Sequence, residues 1–87
     1  MTIHNVFSDL GIGEEMVEIA RCESRLNNKA HVLDVNNKYS VGVFQLNGSN
    51  AVEDWHIPYN NAKKAKELYL NGGFRHWLLC SKKLNYL

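Results

Sequence analysis

Residues 12–24 have the sequence IGEEMVEIARCES, and their apolar side chains follow the spacing of one helical face. The residues at positions i, i+4, i+7 and i+8 of this stripe are Ile12, Met16, Ile19 and Ala20. This spacing predicts an amphipathic α-helix, and Glu14 and Glu15 suit its N-terminal end. The next position of the stripe, i+11, holds a carboxylate, Glu23. Because a break in a local pattern tends to mark a functional site, Glu23 is the first candidate.

The pattern changes from helical to extended after this helix. Residues 27–38 are rich in Asn, Lys and Asp with several turn signals, which predicts a loop. Residues 39–47, YSVGVFQLN, include the β-branched Val41 and Val43 and the aromatic Tyr39 and Phe44. They predict one or two short extended stretches, with Gly42 allowing a bend.

The remainder of the chain is predicted to be helical. We expect a short helix over residues 51–55, and Asn60 can cap a longer helix that stops at the Asn-Gly-Gly run of residues 71–73. A last short helix would carry Cys80. The expected fold is a single domain, residues 1–87, that is mainly α with a small extended β element after the first helix.

Charge and hydropathy exclude several classes of protein. Ten Lys and Arg residues against nine Asp and Glu residues leave a net charge of +1, so we expect no nucleic-acid partner. No stretch is apolar enough for membrane insertion, and polar residues interrupt the first ten positions, so we expect no signal peptide in this chain. The four histidines lack the spacing of metal ligands, so we expect no metal and no cofactor.

The two cysteines, Cys22 and Cys80, leave two interpretations open. A bridge between them would close a loop over most of the chain and add about 4 kcal/mol on the chain-entropy treatment. Two buried thiols are equally compatible with the pattern.

Two motifs and the cysteine pair resemble the lysozyme-like superfamily. The segments ESRLNNKA (residues 23–30) and YSVGVFQLN (residues 39–47) are similar to the Glu-Ser-x-x-Asn-Pro-x-Ala and Gly-Leu-x-Gln signature of lytic transglycosylases. The ending Gln-Leu-Asn at residues 45–47 is closer to animal-type lysozymes. Cys22-Glu23 together with WLLC at residues 77–80 resembles the Cys-Glu and Trp-Pro-x-Cys of the resuscitation-promoting factors. The resemblance covers residues 14–81.

The resemblance implies an α+β lysozyme-like fold and a glycosidase that acts, as a monomer, on the glycan strands of peptidoglycan. The bond cleaved would be the β-1,4 bond between N-acetylmuramic acid and N-acetylglucosamine, so the protein would act at the cell wall. It implies Glu23 as general acid and a bridge between the two cysteines. The residues that would contact the sugar are Tyr39, Ser40, Gly42, Gln45 and Asn47.

The identity of a second catalytic carboxylate decides between two mechanisms. Retaining or inverting hydrolysis needs a second carboxylate, whereas a lytic transglycosylase needs only the acid. The second carboxylate of animal-type lysozymes aligns with Ser40 of this chain. The acids of goose-type lysozymes align near Asn36 and Asn47, which are amides. Asp34 is the best substitute, with Glu53 and Asp54 more remote, and Asp34 is also an ordinary turn former. Transglycosylation is therefore slightly favoured.

Other roles for the same residues stay open. Trp55 can stack on a sugar or pack in the core, and the tyrosine that assists the acid in transglycosylases could be Tyr59 or Tyr69. The main alternative function is a non-catalytic glycan-binding or inhibitory module on the same fold. A helix-turn-helix over residues 12–30 is disfavoured by the near-zero net charge.

Overall fold

The computed structural model describes all 87 residues and contains four α-helices and a three-stranded antiparallel sheet. The helices are α1 (Thr2–Phe7), α2 (Gly13–Ser24), α3 (Pro58–Gly72) and α4 (Leu78–Lys83). The strands are β1 (His31–Leu33), β2 (Tyr39–Val41) and β3 (Leu46–Asn47), in that order across the sheet. Short 3-10 turns occupy Ser8–Leu10, Gly48–Asn50 and Gly73–Trp77. The fold is therefore mainly helical with a small sheet, and no helix is long and apolar enough to span a membrane.

Helix α2 confirms the prediction from the apolar stripe. Its buried residues include Met16, Ile19 and Ala20, and the helix ends at Ser24, followed by Arg25 with a left-handed φ of 57°. Glu23 lies in the last turn and is half-buried. Glu23 therefore lies on the same face as the buried residues of the stripe, but it is partly exposed because it is in the last turn of the helix.

The extended segment also forms as predicted, with one addition. Strands β2 and β3 flank a turn at Gly42, whose φ is 77°. The prediction of a loop throughout residues 27–38 is wrong at its centre, where β1 pairs with β2 and places Leu33 opposite Tyr39. Three residues carry too little pattern to predict a strand, and β1 forms because β2 is available as a partner.

The predicted helix over residues 51–55 does not form, and the predicted longer helix forms but begins earlier than expected. Residues 51 and 52 are irregular and residues 53–56 form a turn, and the left-handed φ of Asp54, 55°, is incompatible with a helix. Helix α3 begins at Pro58 instead of being capped by Asn60, because proline is pre-organised for the first helical position. The Asn60 amide donates to the backbone oxygen of Asp54 at 3.3 Å. Helix α1, which no pattern predicted, buries two apolar side chains in the core.

The core is centred on Phe44, which lies in the turn between β2 and β3. Its ring contacts Phe7 of α1 and Trp77, with ring centroids 5.8 and 5.7 Å apart. The Trp77 indole donates to the Phe44 backbone oxygen at 3.0 Å. The fully buried Asn61 of α3 accepts from Phe44 N at 2.9 Å and donates to Val41 O at 3.2 Å. These contacts fix the hairpin on the helices, since buried polar groups are costly unless paired.

A disulfide joins Cys22 to Cys80 and so links the last turn of α2 to α4. This confirms the pairing that the resemblance implied.

The predicted stop of the long helix is also confirmed, since α3 ends at Gly72 and is followed by Gly73 with a φ of 63°.

Candidate active site

Glu23 is held between two anchors at the end of α2. Its neighbour Cys22 is bridged to α4, and its neighbour Ser24 donates from Oγ to the Val43 backbone oxygen at 2.8 Å. The first anchor fixes the helix to the C-terminal part of the chain, and the second fixes it to the turn of the hairpin. The backbone on both sides of Glu23 is therefore fixed by tertiary contacts.

The pKa of the Glu23 carboxyl is raised, mainly because burial disfavours the ionised form and secondly because the negative charge of Asp34 lies nearby. No hydrogen bond or cation offsets these two effects. Glu23 forms none of the three ion pairs of the molecule. A carboxyl in this setting retains its proton to a higher pH than an ordinary glutamate, which is the property of a proton donor.

Asp34 directly follows β1 and has the opposite environment. Its Oδ2 accepts from Ser40 Oγ at 2.8 Å, and its Oδ1 accepts from Val35 N at 3.0 Å. The hydrogen bond from Ser40, followed by that from Val35, lowers the pKa of the exposed Asp34 carboxyl. The two carboxyls that interact therefore have pKa values shifted in opposite directions, one toward the neutral acid and one toward the anion.

Of the three candidates for a second carboxylate, only Asp34 lies where its charge affects Glu23. Glu53 and Asp54 lie in the turns before α3, and Glu53 lines a separate shallow concavity with Asn60 and Lys63 of that helix.

Ser40 and Asn47 are joined to Asp34 by a chain of hydrogen bonds within the hairpin. The Asn47 Nδ2 donates to Ser40 Oγ at 3.1 Å and to the Lys38 backbone oxygen at 3.2 Å. The Asn47 Oδ1 accepts from the side-chain amide of Asn36. Both ends of the Asn47 amide are thus engaged inside the protein. Its predicted contact with a sugar would compete with these bonds, and that role stays a prediction.

Gln45 presents a free acceptor next to this network. Its Nε2 donates to the backbone oxygens of Ala30, at 3.2 Å, and Gly42, at 3.0 Å, while its Oε1 has no partner in the protein. Its backbone has a left-handed φ of 51°, and it is one of six non-glycine residues in the chain with a positive φ. Gln45 can therefore accept a hydrogen bond from a ligand without losing an internal one.

Gly42 is buried and lies against α3. A Cβ at this position would lie within 3.0 Å of the Trp55 backbone oxygen and closer still to the side-chain amide of Asn61. Its N donates to Ala30 O at 2.8 Å. In this structure Gly42 serves the close approach of the hairpin to α3, and its predicted sugar contact stays a prediction.

The aromatic candidates are dispersed. Tyr39 is 53% exposed, and its ring lies 6.0 Å from that of His31 on the same side of the sheet. Trp55 is half-buried in the turn before α3. Tyr69 packs edge-on against Phe74 at 5.2 Å, a core contact. Tyr59 lies on α3 and lines a groove between α1 and α3.

The face that carries Glu23 and Asp34 is open. The largest concavity, about 630 Å³, lies between α1 and α3, and neither carboxylate lines it or any of the four next concavities. No group of three or more His, Cys, Asp or Glu side chains could hold a metal ion. The site can therefore contact a ligand along a surface but does not enclose one.

Sequence reasoning missed the link between Asp34, Ser40 and Asn36. The available signal was the alternation of Asp34 and Asn36 in a turn, followed by a strand with Ser40 at its centre, which is typical of side chains that form hydrogen bonds within one hairpin.

No protein family, curated protein or solved structure matches this chain.

Proposed function

We propose that the protein is a peptidoglycan glycosidase with a lysozyme-like fold, in which Glu23 is the general acid. The bond cleaved is the β-1,4 bond between N-acetylmuramic acid and N-acetylglucosamine. The observation that carries this proposal is the half-buried Glu23 carboxyl, whose pKa is raised by burial and by the adjacent Asp34. A glycosidic oxygen is a poor leaving group until it is protonated, so the reaction needs an acid that is still protonated near neutral pH.

The shape of the site supports a polymeric substrate. The carboxylates lie on an open face, and a glycan strand can cross such a face without entering a closed pocket. The free Gln45 Oε1 supplies an acceptor for a hydroxyl or an N-acetyl N–H of the sugar. The exposed Tyr39 supplies an aromatic ring beside the same hairpin.

The test compares Glu23→Gln with a matched control, Glu14→Gln, in the release of soluble fragments from purified peptidoglycan. Glu14 is an exposed glutamate in the first turn of the same helix. We expect Glu23→Gln to lose about 100-fold or more of the rate, because general acid catalysis contributes about that much. The Glu14→Gln control should stay within about twofold of wild type, as surface substitutions do. A Glu23→Gln variant as active as the control would overturn the proposal.

The absence of an enclosing cavity around Glu23 favours a second candidate, a non-catalytic glycan-binding module. The same experiment separates the two. Wild-type protein that sediments with peptidoglycan but releases no fragment from several wall types would establish the module instead of the enzyme.

A further inference from the structure

The largest concavity of the molecule is the groove between α1 and α3, which the proposed glycan site does not use. It measures about 630 Å³, and neither Glu23 nor Asp34 lines it. On the α1 side it is lined by the half-buried Val6, with Thr2 and Asn5 beside it. Resting on the proposed function, we infer that this groove binds the short peptide branch of the peptidoglycan whose glycan strand is cleaved at Glu23.

The wall that α3 contributes is a stripe with both apolar and cationic members. Tyr59, Lys63, Lys66 and Leu70 stand at positions i, i+4, i+7 and i+11 and therefore share one face of the helix. Tyr59 and Leu70 are 53% and 63% exposed. At about 1.5 Å per residue the stripe is about 16 Å long, which is the span of an extended peptide of about five residues. The two ends of the stripe can therefore contact apolar side chains of one short peptide.

Lys63 is the one cation of the groove that no carboxylate of the protein pairs. Lys66 Nζ donates to both carboxylate oxygens of Asp9, at 2.8 and 2.9 Å, and so links α3 to the turn after α1. Glu67 pairs with Lys64 at 3.3 Å. The exposed Lys63 takes part in none of the three ion pairs of the molecule. The groove therefore has a single free positive charge, which is complementary to the carboxylate of a peptide.

The α1 wall adds uncharged hydrogen-bonding groups. Thr2 and Asn5 are both exposed, and their hydroxyl and amide groups can pair with the backbone of a peptide. These two groups would serve a sugar equally well. Lys63 and the apolar ends of the stripe favour a peptide, because an uncharged sugar offers neither a carboxylate nor apolar side chains.

A small concavity lies between the groove and the end of α2. It measures about 150 Å³ and shares Thr2 with the groove, and Leu26 and Val43 also line it. Leu26 lies three residues after Glu23, and the Val43 backbone oxygen accepts from Ser24 Oγ. The groove therefore begins beside the helix end that carries Glu23 and continues away from it along α3. A peptide attached to the sugar at Glu23 can enter the groove by this route.

Binding of the peptide changes no bond in the reaction. Because the face that carries Glu23 is open, the glycan alone makes few enclosed contacts, and the groove adds affinity through a second part of the same polymer. Such a contact lowers KM and leaves the chemical step as it is. The inference therefore predicts a difference between substrates with and without peptides.

The first test compares soluble, uncross-linked peptidoglycan with glycan strands from which an amidase has removed the peptides. The variants are Lys63→Gln, Lys63→Glu and a control, Lys83→Gln, which removes an exposed charge of α4 that lines none of the five concavities. On the peptide-bearing strands we expect KM to rise about threefold in Lys63→Gln and about tenfold in Lys63→Glu, with kcat unchanged. The control should match wild type, and on the peptide-free strands all four proteins should have the same KM.

The outcomes separate the inference from the proposed function. A Lys63→Glu variant with the KM of wild type on the peptide-bearing strands would overturn the inference. An equal rise of KM on the peptide-free strands would overturn it too, because Lys63 would then contact the glycan. In both cases cleavage by wild type would leave the proposed function standing. If wild type cleaved neither substrate, the proposed function would fail, and binding of the peptide alone would decide the role of the groove.

Binding of the peptide alone is measured by NMR titration with the peptides that the amidase releases. At about 10 mM peptide a Kd of about 1 mM gives about 90% occupancy, so binding of even this strength is detected. We expect the amide signals of Tyr59, Lys63 and Leu70 to shift, and to shift less in Lys63→Glu. Unchanged signals at these three residues would overturn the inference.

A variant at the apolar end of the stripe tests the alternative occupant, a second copy of this chain. Leu70→Asn replaces an exposed side chain, so it should weaken peptide binding while its melting temperature stays close to that of wild type. Sedimentation equilibrium should show wild type as a monomer. A wild-type dimer that Leu70→Asn dissociates, in a protein whose groove signals do not respond to peptide, would overturn the inference in favour of self-association.

Discussion

Removing the disulfide tests how the fold and the site depend on each other. The bridge joins residues 58 positions apart, so its loop covers two thirds of the chain. On the chain-entropy treatment a loop of this length adds about 4 kcal/mol to the free energy of unfolding. Since about 1 kcal/mol corresponds to about 4–8 °C in a domain of this size, Cys22→Ala with Cys80→Ala should lower the melting temperature by about 15–30 °C.

The assay is thermal unfolding followed by circular dichroism, with the oxidised wild type and the reduced wild type measured beside the double variant. The reduced wild type should melt close to the double variant, because both lack the same constraint. Below its lower melting temperature the double variant should also lose activity, since Cys22 anchors the turn of α2 that carries Glu23. A decrease of less than about 5 °C would refute the view that this bridge supplies much of the stability.

Three further predictions follow from single side chains. Gly42→Ala should cost about 3 kcal/mol in urea unfolding, because an added Cβ meets a buried amide at positive φ; Gly11→Ala, at a φ of 70° with nothing within 4 Å, should cost only about 1 kcal/mol. At neutral pH, Glu23→Gln should have a higher melting temperature than wild type, because a raised pKa means that ionised Glu23 destabilises the fold as pH rises. At a pH well below the ordinary pKa of 4.5, the two proteins should melt together. Equal melting temperatures at neutral pH would contradict the burial of this charge. Gln45→Met should raise KM about tenfold with kcat nearly unchanged, because it removes the Oε1 acceptor that has no partner within the protein. An unchanged KM would show that this oxygen does not contact substrate.

The elements that could be predicted from the sequence are those with a strong local pattern. The apolar stripe of α2 covers several turns, and residues 39–47 place the β-branched Val41 and Val43 on either side of a glycine. The Gly-Gly stop after α3 is a backbone signal that needs no partner. The sequence did not predict short elements whose formation depends on a distant partner. Helix α1 forms because it buries Ile3 and Phe7, and β1 is extended because it pairs with β2.

The candidate site likewise has one residue that the sequence pattern identified and others that only the tertiary structure brings near it. A carboxylate on an apolar stripe singled out Glu23 from periodicity alone, because a helix determines which positions share a face. That Asp34 lies close enough to raise the pKa of Glu23, and that Ser40 holds it, depends on how the hairpin packs across the end of α2. Residues eleven and seventeen positions from Glu23 have no local relation to it. Only the tertiary structure decided their distances, because loop closure, the disulfide and the buried amide of Asn61 together set where the hairpin lies.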